Sequence, residues 1–535
     1  MAFLRNESGQ FAVLFLTLLL FALVGQWWTG VYRADLSQSP DAGAHYINGL
    51  LIHDYVVDGF PGSPLDYALQ YYVHYPRVTI GHWPPLYYTV QAAVYFMTGP
   101  SIQAALFLQA VFGAGVAAIV GWVISRFAGW IVALLASLAT LTAPEIFIGM
   151  QSVMLDVPIA LLTCLAMLAW ARFLLDGTWP WSVAFGLAAV AAIMTKGNAI
   201  FLALLPPLSV VLTGRLRLLS NWCFWLPAPI AALVTAPWYL ATYKITAGGF
   251  VYRWGWDYIV TAVPAYSSMI LDQIGAIGIL FAALGAFRVL RHREWDWRHA
   301  LGISAICIVT AGFAFPCVVP ADIEGRYLAP LVPALVVLAY FGIEWIAKSQ
   351  MPTTRVVLLA LCFLAIIAVE YRIPATTSRA MNAASNMILA DPAGDPFILV
   401  GSTSAGEGAI TAEVATRDRS RQRYVVRGFN VLGLGDYMGT DYRPRFASPS
   451  DLAQWIEKEG IGWIVIDTSP SSLSWTHNAQ LWQIAQSGRE GWNLAGRFPN
   501  SKGETLVYKV SIPGGKPIDH TELLSELAPA RMIGR

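Results

Sequence analysis

Residues 11–28 read FAVLFLTLLLFALVGQWW, eighteen positions without a charge. A helix of about 20 apolar residues crosses a hydrocarbon core of roughly 30 Å, and runs of this kind recur up to residue 372. Hydrophobic residues make up 56% of the 535-residue chain and charged residues 13%, whereas a soluble domain carries about 25% charged residues. The chain therefore reads as an α-helical polytopic membrane protein. Arg5 precedes the first run, but no small-residue cleavage site follows it. An uncleaved first span is expected rather than a signal peptide.

The net charge of +1 supplies no basic patch for nucleic acid. Five cysteines, Cys164, Cys223, Cys307, Cys317 and Cys362, lie in or beside apolar runs without paired spacing. They read as packing residues, not disulfides or metal ligands.

Basic residues mark the cytoplasmic loops of a membrane protein. Arg288, Arg291, Arg293 and Arg298 cluster in one turn, and Arg126, Arg215, Arg217, Lys348 and Arg355 mark others. Residues 31–83 instead hold five Asp and two Arg, which places that loop outside. Spans at 11–30, 101–125, 128–147, 153–175, 180–195, 198–213, 221–243, 267–287, 299–319, 327–348 and 354–372 give eleven crossings, with all these basic turns inside. The range is 11 to 13, because Pro84–Met97 is short for a span and suits an interfacial or re-entrant helix. An aromatic loop is expected at 244–266, with Tyr252, Arg253, Trp254, Trp256 and Tyr258.

Two domains follow. Residues 1–375 form the transmembrane domain, with an outer loop and juxtamembrane helices over 31–100. Residues 376–535 form an extracytoplasmic α/β domain. There PFILVGS, RYVVRGF and GWIVIDTS read as buried strands, and DLAQWIEKEG and AQLWQIAQSG as amphipathic helices. No G-x-G-x-x-G turn occurs in this part, so no nucleotide site is assigned.

Ionisable groups beside a bilayer are costly unless they face water or a site. In SPDAGAHYINGLLIHDY, residues 39–55, Asp41 and His45 lie four apart on one helical face. Ser39 or Asp41 can cap that helix, and Asp41 can serve a site as well. His53 and Asp54 belong to the watered end of an interfacial helix. GHWPPLYY, residues 81–88, has prolines suited to a helix start and places His82 before them. Asp156, in MLDVP, stands where a helix dipole favours an acid. Lys196, in TKG, interrupts an apolar run, as a snorkelling cation or an anion's partner. IEGRYLAPLVP puts Glu324 and Arg326 at an outer span end. Two acids can hold a divalent cation or act as base, and two cations can hold a phosphate.

The order of these elements is an outer-loop acid, H-x-P-P-L-Y-Y, L-D-x-P, T-K-G, A-P-W-Y (236–239) and R-Y-x-x-P-x-x-P (326–333). Over roughly residues 10–345 it resembles the GT-C glycosyltransferases that use a polyprenyl-phosphate sugar, including protein O-mannosyltransferases and aminoarabinose transferases. The resemblance implies an inverting transfer of a sugar from a polyprenyl-phosphate donor to a hydroxyl acceptor on a glycan, lipid or protein. It would take place on the outer face of a bacterial inner membrane, with the tail periplasmic. It implies Asp41 as base and Asp156 as second acid. It also implies a divalent cation (Mg or Mn) at Asp41 and Asp156, and donor-phosphate contacts from Lys196 and Arg326, with His45, His82 and Glu324 beside them. Two departures stand out. Trp83 replaces a lysine of some relatives, which leaves His82 as the substitute, and Ala42 replaces the second acid of an Asp-Glu pair, which leaves His45 as the compensating neighbour. The alternative is a transporter or flippase. Transporters place ionisable groups near the midplane and show inverted repeats. Here the groups sit at span ends and no repeat is evident. A third reading is a binding or assembly component whose tail does the work.

Overall fold

The computed structural model describes residues 7–527, apart from 80, 248–249, 251, 293, 371–375, 393, 436–440 and 512–519. Arg293 of the basic cluster thus lies outside the described residues. The chain divides into two compact units, the first made of 1–28, 81–87 and 107–374, the second of 29–80, 88–106 and 375–535.

The first unit is helical because hydrocarbon leaves no other partner for backbone N–H and C=O groups. Among the described residues eight helices are long and apolar enough to cross a membrane, from Ser8–Thr29 to Pro352–Val369. Trp130–Thr142 and Pro144–Met150 form a further pair bent by 67°. The break falls at Ala143, before a proline that cannot donate to the preceding turn. Two shorter apolar helices, Trp179–Ile193 and Gly197–Thr213, complete the eleven segments. The chain is a multi-pass membrane protein. Leu86–Thr98, the segment read as interfacial, is a helix of 13 residues, about 20 Å at 1.5 Å per residue.

The loop expected at 244–266 is shorter than the sequence suggests. A 36-residue helix already begins at Trp256 and runs to Arg291. It kinks at Ile274–Gly275, where Gly275 has φ 67°. Aromatic residues had masked this start, since Trp and Tyr sit as readily on an interfacial helix as in a loop.

This helix packs against Gly325–Ala347 through a reciprocal glycine contact. A Cβ on Gly285 would overlap the Leu338 carbonyl, and one on Gly342 would overlap the Phe281 carbonyl. Small residues let membrane helices approach backbone to backbone, where dispersion replaces the missing hydrophobic drive.

The second unit holds a five-stranded sheet. Its strands are β1 (Phe397–Gly401), β2 (Tyr424–Arg427), β3 (Trp463–Asp467), β4 (Trp492–Asn500) and β5 (Gly503–Val510). The order is β2-β1-β3-β5-β4. β1 pairs parallel with β2 and β3, and β5 closes antiparallel onto β3 and β4. β1 and β3 are buried along their whole length, as strands covered on both faces must be. These are the strands legible as continuous apolar runs. The β4–β5 hairpin escaped because β4 alternates exposed and half-buried positions at an edge.

The segment 29–80 packs within this unit. Asp35, 1% exposed, accepts hydrogen bonds from the backbone N–H groups of Arg379 (3.0 Å) and Met381 (2.8 Å). It thereby satisfies the start of helix Met381–Leu389 across 346 residues of sequence. Gly43 lies flat on Gly408, with no room for a Cβ. Tyr46 accepts from Thr416 Oγ1 at 2.9 Å, and Tyr75 donates to the Asp418 carbonyl at 2.8 Å. Glu407, fully buried, is bound by Arg427 Nε at 2.9 Å. Burial pushes its carboxyl above the usual range, and the guanidinium opposes that rise.

Gly342→Leu is expected to force the two helices apart and to cost about 1–3 kcal/mol, as overpacking does. The readout is a lowered thermal midpoint of the detergent-purified protein. Gly115→Ala serves as control, because a Cβ there meets only Leu161 at an ordinary 3.5 Å; its midpoint should not fall below the parent's. Equal midpoints for the two variants would contradict the close approach.

Candidate functional site

The first unit gathers its ionisable groups where helices start or stop. Asp156 is the first residue of helix Asp156–Asp176, where the helix dipole favours a carboxylate. Lys196 follows helix Trp179–Ile193 in an extended conformation (φ −153°, ψ 130°) and caps the 3-10 turn Gly197–Leu204. Arg326 lies in the 3-10 turn Gly325–Leu331, with Glu324 as its extended cap.

These breaks meet in space. Lys196 Nζ donates to Asp156 Oδ1 at 2.6 Å across 40 residues of sequence. The pair is buried, with Asp156 1% and Lys196 9% exposed. Lys196 is therefore not a snorkelling lysine; a carboxylate holds it in place. The ammonium also lies 4.7 Å from the Tyr327 ring centroid, and the Arg326 guanidinium 5.7 Å from the same ring. Arg326 bonds Glu324 through Nε.

Two residues that the sequence reading passed over complete the cluster. Tyr327 offers one aromatic face to both cations; its place in the R-Y pair was the available signal. Glu145, in the first turn of Pro144–Met150, interacts electrostatically with Asp156, Arg326 and Glu324. It presses against Gly325, where a Cβ would collide with its Oε1. Only tertiary packing distinguishes it from an ordinary first-turn acid.

The short motifs explain one another here. Gly197 has no room for a Cβ because Tyr239 Oη would stand 2.9 Å from it. Tyr239 in turn donates to the Ile193 carbonyl at 3.1 Å. T-K-G and A-P-W-Y are thus two sides of one contact. The Leu86 N–H donates to the Met194 carbonyl at 3.1 Å, which joins the double-proline element to the same turn. His82 sits edge-on to Trp83, centroids 4.6 Å apart. Gln109 Nε2 bridges Tyr87 Oη (2.8 Å) and the Met154 carbonyl (2.7 Å) just ahead of Asp156.

The second unit holds Asp41 and His45. Asp41 occupies the cap position of helix Ala42–Val57, yet its side chain makes no capping hydrogen bond. Ser39 Oγ instead accepts from the Asp41 N–H at 3.3 Å. The carboxylate, partly exposed, is therefore not consumed by the helix end. His45 is buried and its Nδ1 bonds Tyr88 Oη at 2.8 Å. His53 and Asp54 depart from expectation. Instead of a watered helix end they are 5% and 9% exposed and bonded to each other at 2.8 Å. Tyr71 Oη donates to Asp54 Oδ2 at 3.0 Å, and Arg419 stands 3.4 Å from Oδ1. Partners distant in sequence make that burial tolerable.

For the expected divalent cation, the donor set gives one supporting atom. Asp156 Oδ2 is buried without a hydrogen-bond partner, while Oδ1 is occupied by the lysine. Among the described residues no three His, Cys, Asp or Glu side chains assemble as ligands. The residues described do not form a cage, and no chemical step below runs through a metal.

A helical membrane unit joined to an α/β unit is the architecture that defines the class: this is the GT-C fold. In particular, the chain is similar to ArnT from Cupriavidus metallidurans in the apo state. The two share a TM-score of 0.59 and 16% identity, over 96% of this chain and 100% of that one. The same protein bound to undecaprenyl phosphate gives a TM-score of 0.56 at 16% identity, over 94% and 99%. The archaeal oligosaccharyltransferase AglB from Archaeoglobus fulgidus, in complex with an inhibitory peptide and a dolichol-phosphate, gives 0.52 at 13% identity, over 94% and 75%. No protein-family model and no curated protein matches the sequence.

Lys196→Met should leave the Asp156 carboxylate buried and uncompensated, a loss of about 3–5 kcal/mol. Combining it with Asp156→Asn should recover most of that stability. Thermal midpoints in detergent test both; a Lys196→Met protein as stable as the parent would remove the pair from its anchoring role.

Proposed function

We propose that this protein transfers a sugar from a polyprenyl-phosphate donor to a hydroxyl acceptor at the outer face of a bacterial inner membrane, with inversion at the anomeric carbon. The observation that carries the reading is the buried Lys196–Asp156 pair with the half-buried Arg326 and Tyr327 beside it, within a fold shared end to end with an ArnT structure that holds undecaprenyl phosphate. The acceptor class is a glycan, lipid or protein hydroxyl.

The chemistry asks for two things. Negative charge builds on the phosphate as the glycosidic bond breaks, and positive charge builds at the anomeric carbon. Preorganised cations in a water-poor site stabilise the leaving group better than water does. Lys196 and Arg326 fill that role, and each has a carboxylate that fixes its position. Asp156 thus acts through Lys196, as a positioning residue, and Glu324 acts likewise through Arg326. The acceptor hydroxyl loses its proton as it attacks, and a carboxylate can take it. The resemblance assigns that base to Asp41, whose side chain is not used as a cap. His45, one turn on and held by Tyr88, steadies the same helix face. His82 beside Trp83 supplies a polar edge where some relatives place a lysine. The tail, residues 376–535, is read as extracytoplasmic.

Asp41→Asn should lower turnover by about 10²–10⁴, the usual contribution of a general base, with an unchanged thermal midpoint. The measurement is release of undecaprenyl phosphate from an undecaprenyl-phosphate-linked sugar by membranes carrying each variant. Near-normal release would remove Asp41 from the base's role. Solute flux in proteoliposomes that Asp41→Asn leaves untouched would favour a transporter instead.

A further inference from the structure

A cavity on the first unit lies away from this cluster. It holds about 570 Å³ and is lined by Leu174–Gly177, Gly214–Leu218 and Asn221. That volume falls within the roughly 300–1,000 Å³ of small-molecule sites. Its walls are the C-terminal ends of helices Asp156–Asp176 and Leu205–Thr213, both closed by left-handed glycines, Gly177 and Gly214. Arg215 and Arg217 place it on the face that the charge pattern assigns to the cytoplasm.

Helix C-termini repel anions, so the carbonyls need attention first. The Leu174 carbonyl accepts from Arg215 Nη1 (3.0 Å) and from Trp295 Nε1 (3.2 Å). The Gly177 carbonyl accepts from Asn221 Nδ2 at 2.8 Å. The Arg215 guanidinium is held flat, 4.1 Å from the Trp295 ring centroid. The negative end of the first helix is thereby answered within the protein. Arg217 has no such duty: its guanidinium has no hydrogen-bond or ion-pair partner among the described residues. Two arginines thus line the cavity beside one acid, the exposed Asp176.

The depth is marked by the surroundings. Trp179, Trp222 and Trp225 are 57%, 66% and 55% exposed, and Leu216, between the two arginines, is 69% exposed. Indole rings gather at the headgroup level of a bilayer. An exposed leucine between two arginines suits a loop that dips its apolar side into lipid while its charges stay at the phosphate plane.

We infer that this cavity is a binding site for the head group of an anionic phospholipid, with Arg217 as its phosphate contact and Arg215 as a fixed, partly committed second cation. Basic pockets between helices on the cytoplasmic side take lipid head groups in this way. A soluble phosphate ester shares the charge but not the acyl chains for which the tryptophans and Leu216 provide a surface.

The test uses the full chain, purified and delipidated in a mild detergent. Native mass spectrometry counts retained phosphatidylglycerol or phosphatidylcholine, with glycerol 3-phosphate as soluble competitor. Phosphatidylglycerol should be retained over phosphatidylcholine, and Arg217→Gln should reduce that retention about fivefold, the equivalent of about 1 kcal/mol for one basic residue near anionic lipid. Glycerol 3-phosphate should not displace it. Arg217→Gln should keep the parent's thermal midpoint, because the side chain bonds nothing in the fold. Equal retention of the two lipids, retention unchanged in Arg217→Gln, or displacement by glycerol 3-phosphate would each overturn the proposal.

Discussion

A lysine and an aspartate, 2.6 Å apart and almost sealed from water, set the conditions for the rest of the membrane unit. Neither charge is tolerable there alone, since an isolated ion in a low-dielectric interior costs several kcal/mol even after relaxation. Together they fix the start of one helix and the end of another at one level. Everything near them is built from chain breaks: an extended residue at 196, 3-10 turns after 196 and after 324, and a bent helix pair at 143. In a bilayer, irregular backbone is allowed only where protein or water covers it. The ion pair and the broken helices therefore belong together: a group that needs partners sits where the chain frees them.

In the function proposed for this chain, such a cluster serves a reaction in which charge moves from a bond onto a phosphate. Cations already held by carboxylates need not reorganise when that charge arrives. Tyr327 adds a face against which both cations rest. It limits their motion without neutralising them, which a third carboxylate would do.

The fold was largely legible. Hydrophobic run length is a direct reading of membrane thickness, and each of the eleven apolar segments is helical. In the tail, β1 and β3 announced themselves because strands buried on both faces must be continuously apolar, and β2 was legible from its short apolar run. β4 did not, since an edge strand needs no such run. The helix starting at Trp256 was hidden by its aromatic residues. His53 and Asp54 were misplaced for a related reason: the sequence shows a charge, not the tyrosine and arginine that fold over it.

By itself the sequence determined the number and length of apolar segments, the basic turns, the α/β character of the tail and the residue types at the helix breaks. These depend on composition and spacing alone, which hydrocarbon and the backbone translate directly into helices and strands. Only the tertiary structure decided which charges meet. Lys196 finds Asp156 over 40 positions, Tyr327 rather than solvent lies beside them, and Asp35 caps a helix 346 positions away. The reason is that an ion's partner is chosen by distance in space. A residue that is expensive to bury is legible as such in the sequence, but the residue that makes its burial possible becomes visible only when the chain is folded.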